Sequence, residues 1–279
     1  MTADDQPVPR APAQLAREDG RSTFGAGAAG YHATRSDYPD ELYEGLFAQV
    51  AQPAAVLEIG PGSGLATAAL LQRAPRRYVA VESDPDFVAF LGDRFASNPL
   101  ELVCAPFPCA GVEGPFDLAV CAAAFHWLEP KAALAELRRL LHPRGIWAMW
   151  WNSYLDETDD HPFARAAMAL MRARGVRFPP SFGAEGHLSL DHARQTALLE
   201  ANGFCDVEFR QWRRSNRLDA AAARGLFDSF SFVRLLAPPV RAELLDSVVA
   251  LVNDHFGGLA DNLVSTTCYI ARPAPAARS

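Results

Sequence analysis

Through the first half of the chain, short unbroken apolar runs alternate with longer stretches whose apolar positions recur at helical spacing. The run Ala54 to Ile59 predicts a buried strand ended by glycines, and Leu65 to Arg73 predicts a helix. Arg77 to Glu82 predicts a second strand, followed by a helix from Pro85 to Ala96 with Asp84 as its N-cap. Leu100 to Cys104 and Phe116 to Cys121 predict a third and a fourth strand. The Ala/Leu/Arg stretch from Lys131 to Leu141 predicts a helix, and the turn Pro143-Arg144-Gly145 leads into a fifth strand, Ile146 to Trp151. Strands alternating with helices of this length argue for βαβ units and a parallel sheet with right-handed crossovers.

After Asn152 the rhythm changes. Pro162 to Arg174, Leu190 to Asn202, Asp219 to Phe232 and Pro239 to Phe256 carry helical spacing, with Gly203 stopping the second of these. Phe204 to Trp212 alternates like a strand, and Asn262 to Ala271 is a β-branched run. These two strands, with helices inserted between them, predict an antiparallel extension of the sheet. Pro7, Pro9 and Pro12 among small and charged residues mark residues 1–20 as a flexible arm, and residues 273–279 repeat that character. What lies between, 21–272, reads as one domain, with helical insertions near 153–190 and 219–256 as a cap or substrate region.

Composition narrows the function. Lys plus Arg is 26 and Asp plus Glu is 33, a net charge of −7, which disfavours bulk binding to nucleic acid or to an anionic membrane surface. No charge-free stretch reaches the roughly 18 apolar residues of a membrane span, and Met1 to Asp5 lacks the basic-then-apolar pattern of a signal peptide. The 5 cysteines form no C-x-x-C pair and have no histidine at ligand spacing, so they read as buried thiols of a cytoplasmic protein with no metal site.

The chemistry begins at Glu58-Ile59-Gly60-Pro61-Gly62-Ser63-Gly64. A strand feeding a glycine turn that feeds a helix lets backbone approach a ligand closely and aims free N–H groups at it. Glu82 ends the second strand, where a carboxylate can accept hydrogen bonds from the ribose hydroxyls of an adenosine ligand. A dinucleotide fingerprint, G-x-G-x-x-G, requires a third glycine where Leu65 stands; the pattern present is G-x-G-x-G preceded by an acid.

These residues resemble the class I S-adenosylmethionine-dependent methyltransferases, in particular the small-molecule branch with a type 11 methyltransferase domain. Tyr31-His32-Ala33-Thr34-Arg35-Ser36-Asp37-Tyr38-Pro39 is similar to that branch's N-terminal Y-x-x-x-R-x-x-Y-P segment, and Phe116 to Val120 with Ala124 to Leu128 resembles its fourth strand and the segment after it. Leu141 to Gly145 resembles the turn before its fifth strand. The resemblance implies an α/β, Rossmann-like, seven-stranded mostly parallel sheet of order 3-2-1-4-5-7-6 with strand 7 antiparallel. It implies S-adenosyl-L-methionine as cofactor, a small-molecule methyl acceptor as partner, and cofactor contacts from Tyr31, Arg35, Glu58, Gly60, Pro61, Gly62, Gly64, Glu82, Ser83, Phe107 and Ala123. Ala105-Pro106-Phe107 stands where the family usually has a polar residue near the adenine amine, which leaves stacking on Phe107 and backbone groups to replace it.

On the acceptor side, His126 follows the fourth strand, and an imidazole titrating near neutrality suits proton removal. General base and cavity-lining residue both remain open for it. Tyr31, Arg35 and Tyr38 fall at intervals that suit one face of a short helix ending before Pro39, with Arg35 able to pair with a carboxylate of cofactor or acceptor. Tyr38, Trp151, Asn152 and Phe230 are the expected acceptor contacts, and Phe227, Phe230 and Phe232 with Phe178 and Phe182 make a candidate apolar or aromatic pocket. The alternative function is a repurposed methyltransferase fold that binds the cofactor but catalyses another reaction, such as a cyclisation, or only binds ligand.

Overall fold

The computed structural model describes residues 30, 32, 34–108, 111–155, 161–178, 182–183 and 186–275. Five parallel strands form one half of the sheet: β1 (Ala55–Ile59), β2 (Arg77–Glu82), β3 (Glu101–Cys104), β4 (Phe116–Ala122) and β5 (Leu141–Ser153). Two long strands, β6 (Phe204–Asp219) and β7 (Leu259–Pro273), complete it. The spatial order is 3-2-1-4-5-7-6, and β7 runs antiparallel to both neighbours. This is the Rossmann-like arrangement the family resemblance implied, and its parallel part and antiparallel extension are those the strand and helix rhythm predicted.

Helices cover both faces. On one side α1 (Asp40–Phe47) and α2 (Leu65–Leu71) pack over Val56, Tyr78, Ala80, Ala148 and Trp150. On the other, α4 (Pro130–Leu140) lays Ala133, Leu134, Leu137 and Leu140 against Leu57, Val79, Ala119, Trp147 and Trp151. Successive side chains of a strand point to opposite faces, so the run Trp147-Ala148-Met149-Trp150-Trp151 feeds two cores at once. The α4 register is fixed at its start: Glu129 accepts from the backbone N–H groups of Lys131 and Ala132, and Pro130 occupies the first turn. Between α2 and α4 lies α3 (Pro85–Arg94), whose cap is the expected one, Asp84 accepting from the N–H of Asp86 at 2.9 Å.

A third core lies beyond the sheet end. It is built from α5 (Pro162–Ala173), α7 (Ala220–Asp228), α8 (Ser231–Arg234) and α9 (Pro238–Phe256) around Phe163, Met171, Leu226, Phe227, Val248 and Val252, and reaches Ala260 and Val264 of β7. The remaining helix, α6 (His192–Ala201), packs beside β6, with His192 against Phe209 at 5.1 Å between ring centroids.

Several sequence expectations need correction. The helix expected over 219–232 is two, because Phe230 takes an extended conformation (φ −74°, ψ 131°) between α7 and α8. Strand β5 starts five residues earlier than Ile146, since Leu141 already pairs with Phe116 across a register shift. Before Pro39 the described residues Gly30, His32 and Thr34 are helical, while Arg35 to Pro39 is irregular and the regular helix α1 starts after the proline. Of the cysteines, Cys121 and Cys268 are buried, Cys205 is half-buried and Cys104 is exposed, while Cys109 lies outside the described residues. No described helix is long and apolar enough to cross a membrane.

Candidate active site

A cavity of about 240 Å³ opens where the carboxyl ends of β1, β2, β4 and β5 meet the N-terminal segment and the cap helices. Open parallel sheets place ligands at this edge. Its floor is the turn from Gly60 to Ser63. Gly60, Gly62 and Gly64 have φ of +64°, +55° and +75°, values that L side chains rarely adopt. Their surroundings differ. A Cβ on Gly60 would meet the Ala124 Cβ at 2.6 Å, one on Gly62 would meet nothing within 4 Å, and one on Gly64 would strike Leu91 and Phe95, each at 2.7 Å. Gly62 therefore faces open space, whereas Gly64 is a packing glycine that lets α3 approach the turn.

Glu82 closes one side. Its Oε1 accepts from the N–H of Ser83 (2.7 Å) and of Asp84 (3.0 Å), and its Oε2 from the N–H of Gly62 (3.1 Å). Burial raises its pKa above the usual carboxylate range, and these three N–H groups oppose that rise. The Ser83 hydroxyl is a further donor to Oε1 at 3.4 Å. A carboxylate offers about four acceptor sites, and Oε2, which takes only the Gly62 N–H among the described residues, keeps capacity for a ligand hydroxyl. Beside it Phe87, Ala105, Pro106 and Phe107 make an apolar slot. Phe87 was not picked out in the sequence, although its place in the first turn of a helix capped by Asp84 sets it at this edge.

Glu58 sits elsewhere. It is fully buried behind the turn, where its Oε2 accepts from Thr67 Oγ1 and from the Tyr78 hydroxyl, both at 2.6 Å. Desolvation pushes its pKa up to about 7 against those two hydrogen bonds. Neither Glu58 nor Gly64 lines the cavity among the described residues. The direct contacts expected of them give way to a structural arrangement: on β1 the side chain of residue 58 points to the opposite face from Leu57 and Ile59. Gly60, Pro61, Gly62, Glu82, Ser83, Phe107 and Ala123 all line it, and Tyr31 lies outside the described residues.

The other half of the cavity is bounded by Arg35, Tyr38, His126, Trp151, Asn152, Ser153, Tyr154, Phe230 and Phe232. The segment carrying Arg35 and Tyr38 is tied down from both ends. His32 meets Ser63 Oγ at 3.3 Å, and Asn152 Nδ2 donates to the Ser36 carbonyl at 3.0 Å. The Ser36 N–H donates to the Tyr154 hydroxyl, and Asn216 Nδ2 donates to Ser36 Oγ. Arg35 reaches over the rings of Tyr154 (5.1 Å) and Phe230 (5.0 Å) and donates to the Ser229 carbonyl at 2.9 Å. Tyr38 stands edge-on to Trp150 at 5.8 Å. The Asn152 amide is occupied, with Oδ1 accepting from Thr266 Oγ1 at 2.6 Å, so this residue lines the cavity while acting as a bracket.

His126 lies in a 3₁₀ turn, and its Nδ1 accepts from Trp151 Nε1 at 3.2 Å. Of the aromatic group read from the sequence, Phe230 and Phe232 line the cavity as a stacked pair 5.3 Å apart. Phe227 and Phe178 belong instead to the cap core, and the Phe182 side chain lies outside the described residues. Ser153, Tyr154, Ser231 and Phe232 were not expected as candidate contacts in the sequence reading or were given only as a group; they sit where β5 overruns the sheet edge and where α7 breaks.

A family model described as a methyltransferase domain matches residues 57–149. An uncharacterized methyltransferase of Schizosaccharomyces pombe is 31% identical over 262 residues, covering 91% of this chain and 98% of its own. A candidate type II methyltransferase of Anaeromyxobacter dehalogenans superposes with a TM-score of 0.59 at 19% identity, over 86% of this chain and 99% of its own. Phosphoethanolamine N-methyltransferase 2 of Haemonchus contortus, solved in complex with S-adenosyl-L-methionine, aligns with a TM-score of 0.50 at 12% identity over 90% of this chain and 57% of its own.

Proposed function

Because this chain belongs to the class I methyltransferases with a type 11 methyltransferase domain, we propose that its cavity binds S-adenosyl-L-methionine and presents the methyl group to a small molecule held between Arg35, Tyr38, His126 and Phe230. One observation carries the cofactor assignment: Glu82 lines the cavity beside the glycine turn it is hydrogen-bonded to, and its Oε2 keeps acceptor capacity beyond the Gly62 N–H. That fits a ribose hydroxyl. The slot of Phe87, Pro106 and Phe107 fits a flat purine, and the bare Cα of Gly62 allows a ligand chain to lie against the backbone.

Bound there, the cofactor supplies a methyl group on a sulfonium. The chain's own contribution is position and exclusion of water. Glu82 and the glycine turn hold the adenosyl end. Ala123 and Ala124 keep the floor shallow beneath the reacting end, and Tyr38, Tyr154, Phe230 and Phe232 wall off solvent on the acceptor side. Arg35, fixed between Tyr154 and Phe230, places one positive charge at this half of the cavity and suits a carboxylate of either ligand.

Calorimetry with S-adenosylmethionine, S-adenosylhomocysteine and NAD tests the cofactor assignment. Saturable binding of the first two and none of the third is expected; binding of NAD alone overturns it. Transfer of a labelled methyl group to a member of a small-molecule panel tests the reaction class.

A further inference from the structure

The hydrogen bond between Trp151 and His126 decides what His126 can do. An indole nitrogen only donates, so the His126 Nδ1 it faces at 3.2 Å carries no proton. In the neutral imidazole the proton then sits on Nε2. The ring's one lone pair is engaged by Trp151, and taking up a proton there would set two donors against each other. Turning the ring over would put Cδ2 at the indole and leave its N–H without this acceptor, so the bond selects the orientation with Nδ1 toward Trp151. His126 is thus arranged as a hydrogen-bond donor rather than as a base.

The rest of this half of the cavity has the same sign. Ser153 is 3% exposed, lines the cavity, and its hydroxyl has no hydrogen-bond partner among the described residues. Arg35 brings a cation. Among the described lining residues the acidic groups are Glu82 and Asp84, both at the ribose end. A phenol or an ammonium must lose a proton before it can attack, which calls for a base. A carboxylic acid, with an ordinary pKa near 4, arrives ionised.

We propose that the methyl acceptor is a carboxylate, esterified on oxygen, with His126 Nε2–H and Ser153 Oγ–H as its donors and Arg35 as the compensating charge. This rests on the methyl-transfer reading above. In the transfer an oxygen lone pair of the carboxylate forms the new C–O bond, the S–CH₃ bond breaks, and its electron pair stays on sulfur as a neutral thioether. No proton is gained or lost, so no base is needed.

Two measurements test this. In ¹⁵N NMR of histidine-labelled protein, His126 is expected to show an unprotonated Nδ1 and a protonated Nε2; a protonated Nδ1 overturns the donor assignment. With methyl-labelled S-adenosylmethionine and a panel of carboxylic acids, phenols and amines on matched skeletons, the label is expected in products that release labelled methanol in mild alkali. Label held in an alkali-stable ether, amine or C-methyl product overturns the carboxylate. Cofactor bound with no label transferred to any compound overturns methyl transfer itself, a distinct result. His126→Leu is expected to raise the acceptor KM about ten-fold or more, and His126→Gln, which keeps an N–H, to stay within about three-fold of wild type; equal loss in both overturns the role given to the N–H.

Discussion

Glu82 Oε2 lies 3.1 Å from the backbone nitrogen of Gly62, 20 positions earlier in the chain. The acid at the end of β2 therefore holds the glycine turn as well as facing the ligand, and its substitution acts on both. Glu82→Ala is expected to lower S-adenosylmethionine affinity about ten-fold or more by calorimetry, and stability by about 1–3 kcal/mol as Gly62, Ser83 and Asp84 lose their acceptor. Unchanged affinity in a folded Glu82→Ala protein removes the ribose assignment.

The second and third glycines of Gly60-Pro61-Gly62-Ser63-Gly64 part company under substitution. Gly64→Ala meets both a positive φ and the side chains of Leu91 and Phe95, and is expected to cost about 2–4 kcal/mol in chemical denaturation. Gly62→Ala meets only the positive φ, costing about 1–2 kcal/mol, yet its methyl group enters the cavity. Cofactor affinity is expected to fall further in Gly62→Ala than in Gly64→Ala; the reverse order contradicts the packing role of Gly64.

Glu58 makes stability depend on pH. Its carboxyl is held up to about 7 from an ordinary 4.5 because burial outweighs the hydrogen bonds from Thr67 and Tyr78. Between those values the folded chain keeps a proton that the unfolded chain has lost. Stability from this group is therefore greatest below about pH 4.5, falls as pH rises toward about 7, and is level above that. Glu58→Gln lacks the slope. Across that window the wild type is expected to lose about 2–3 kcal/mol relative to Glu58→Gln, read from denaturation curves at several pH values. A difference that does not change with pH excludes the buried charge as its cause.

Phe227 and Phe230 are three residues apart and serve different ends. Phe227 is fully buried against Phe163, with ring centroids 6.2 Å apart, so Phe227→Ala is expected to cost about 3–5 kcal/mol of stability. Phe230 stacks on Phe232 at the cavity wall. Phe230→Ala is expected to raise the acceptor KM with a smaller loss of stability. Thermal unfolding with steady-state kinetics separates them, and equal effects on KM contradict the division.

Periodicity made the sheet legible because each parallel strand is a short apolar run bounded by turn residues. It failed where pairing rather than burial extends an element. β6 continues to Asp219 through Arg213, Arg214 and Arg217, a polar stretch that gives no apolar signal but finds a full ladder on β7. The site divides in the same way. Glu82, Gly60 and Gly62 are readable because a strand end fixes where they point. The buried position of Glu58 depends on Thr67 and Tyr78, which spacing along the turn does not reveal. Ser153 and Phe232 enter the wall because β5 overruns its expected end and the helix over 219–232 breaks at Phe230, events set by tertiary pairing.

That outer strand has a consequence for the molecule in a crowded solution. Among the described residues β6 is the last strand of the sheet, 16 residues long, and an outer strand edge is a template for any extended segment that drifts alongside. Arg210, Arg213, Arg214 and Arg217 stand along it, with Arg210 paired to Glu208, Arg217 to Asp261, and Arg214 donating to the Asp37 carbonyl. An incoming strand of a second copy would have to pass these charged side chains, which works against edge-to-edge pairing of the sheet.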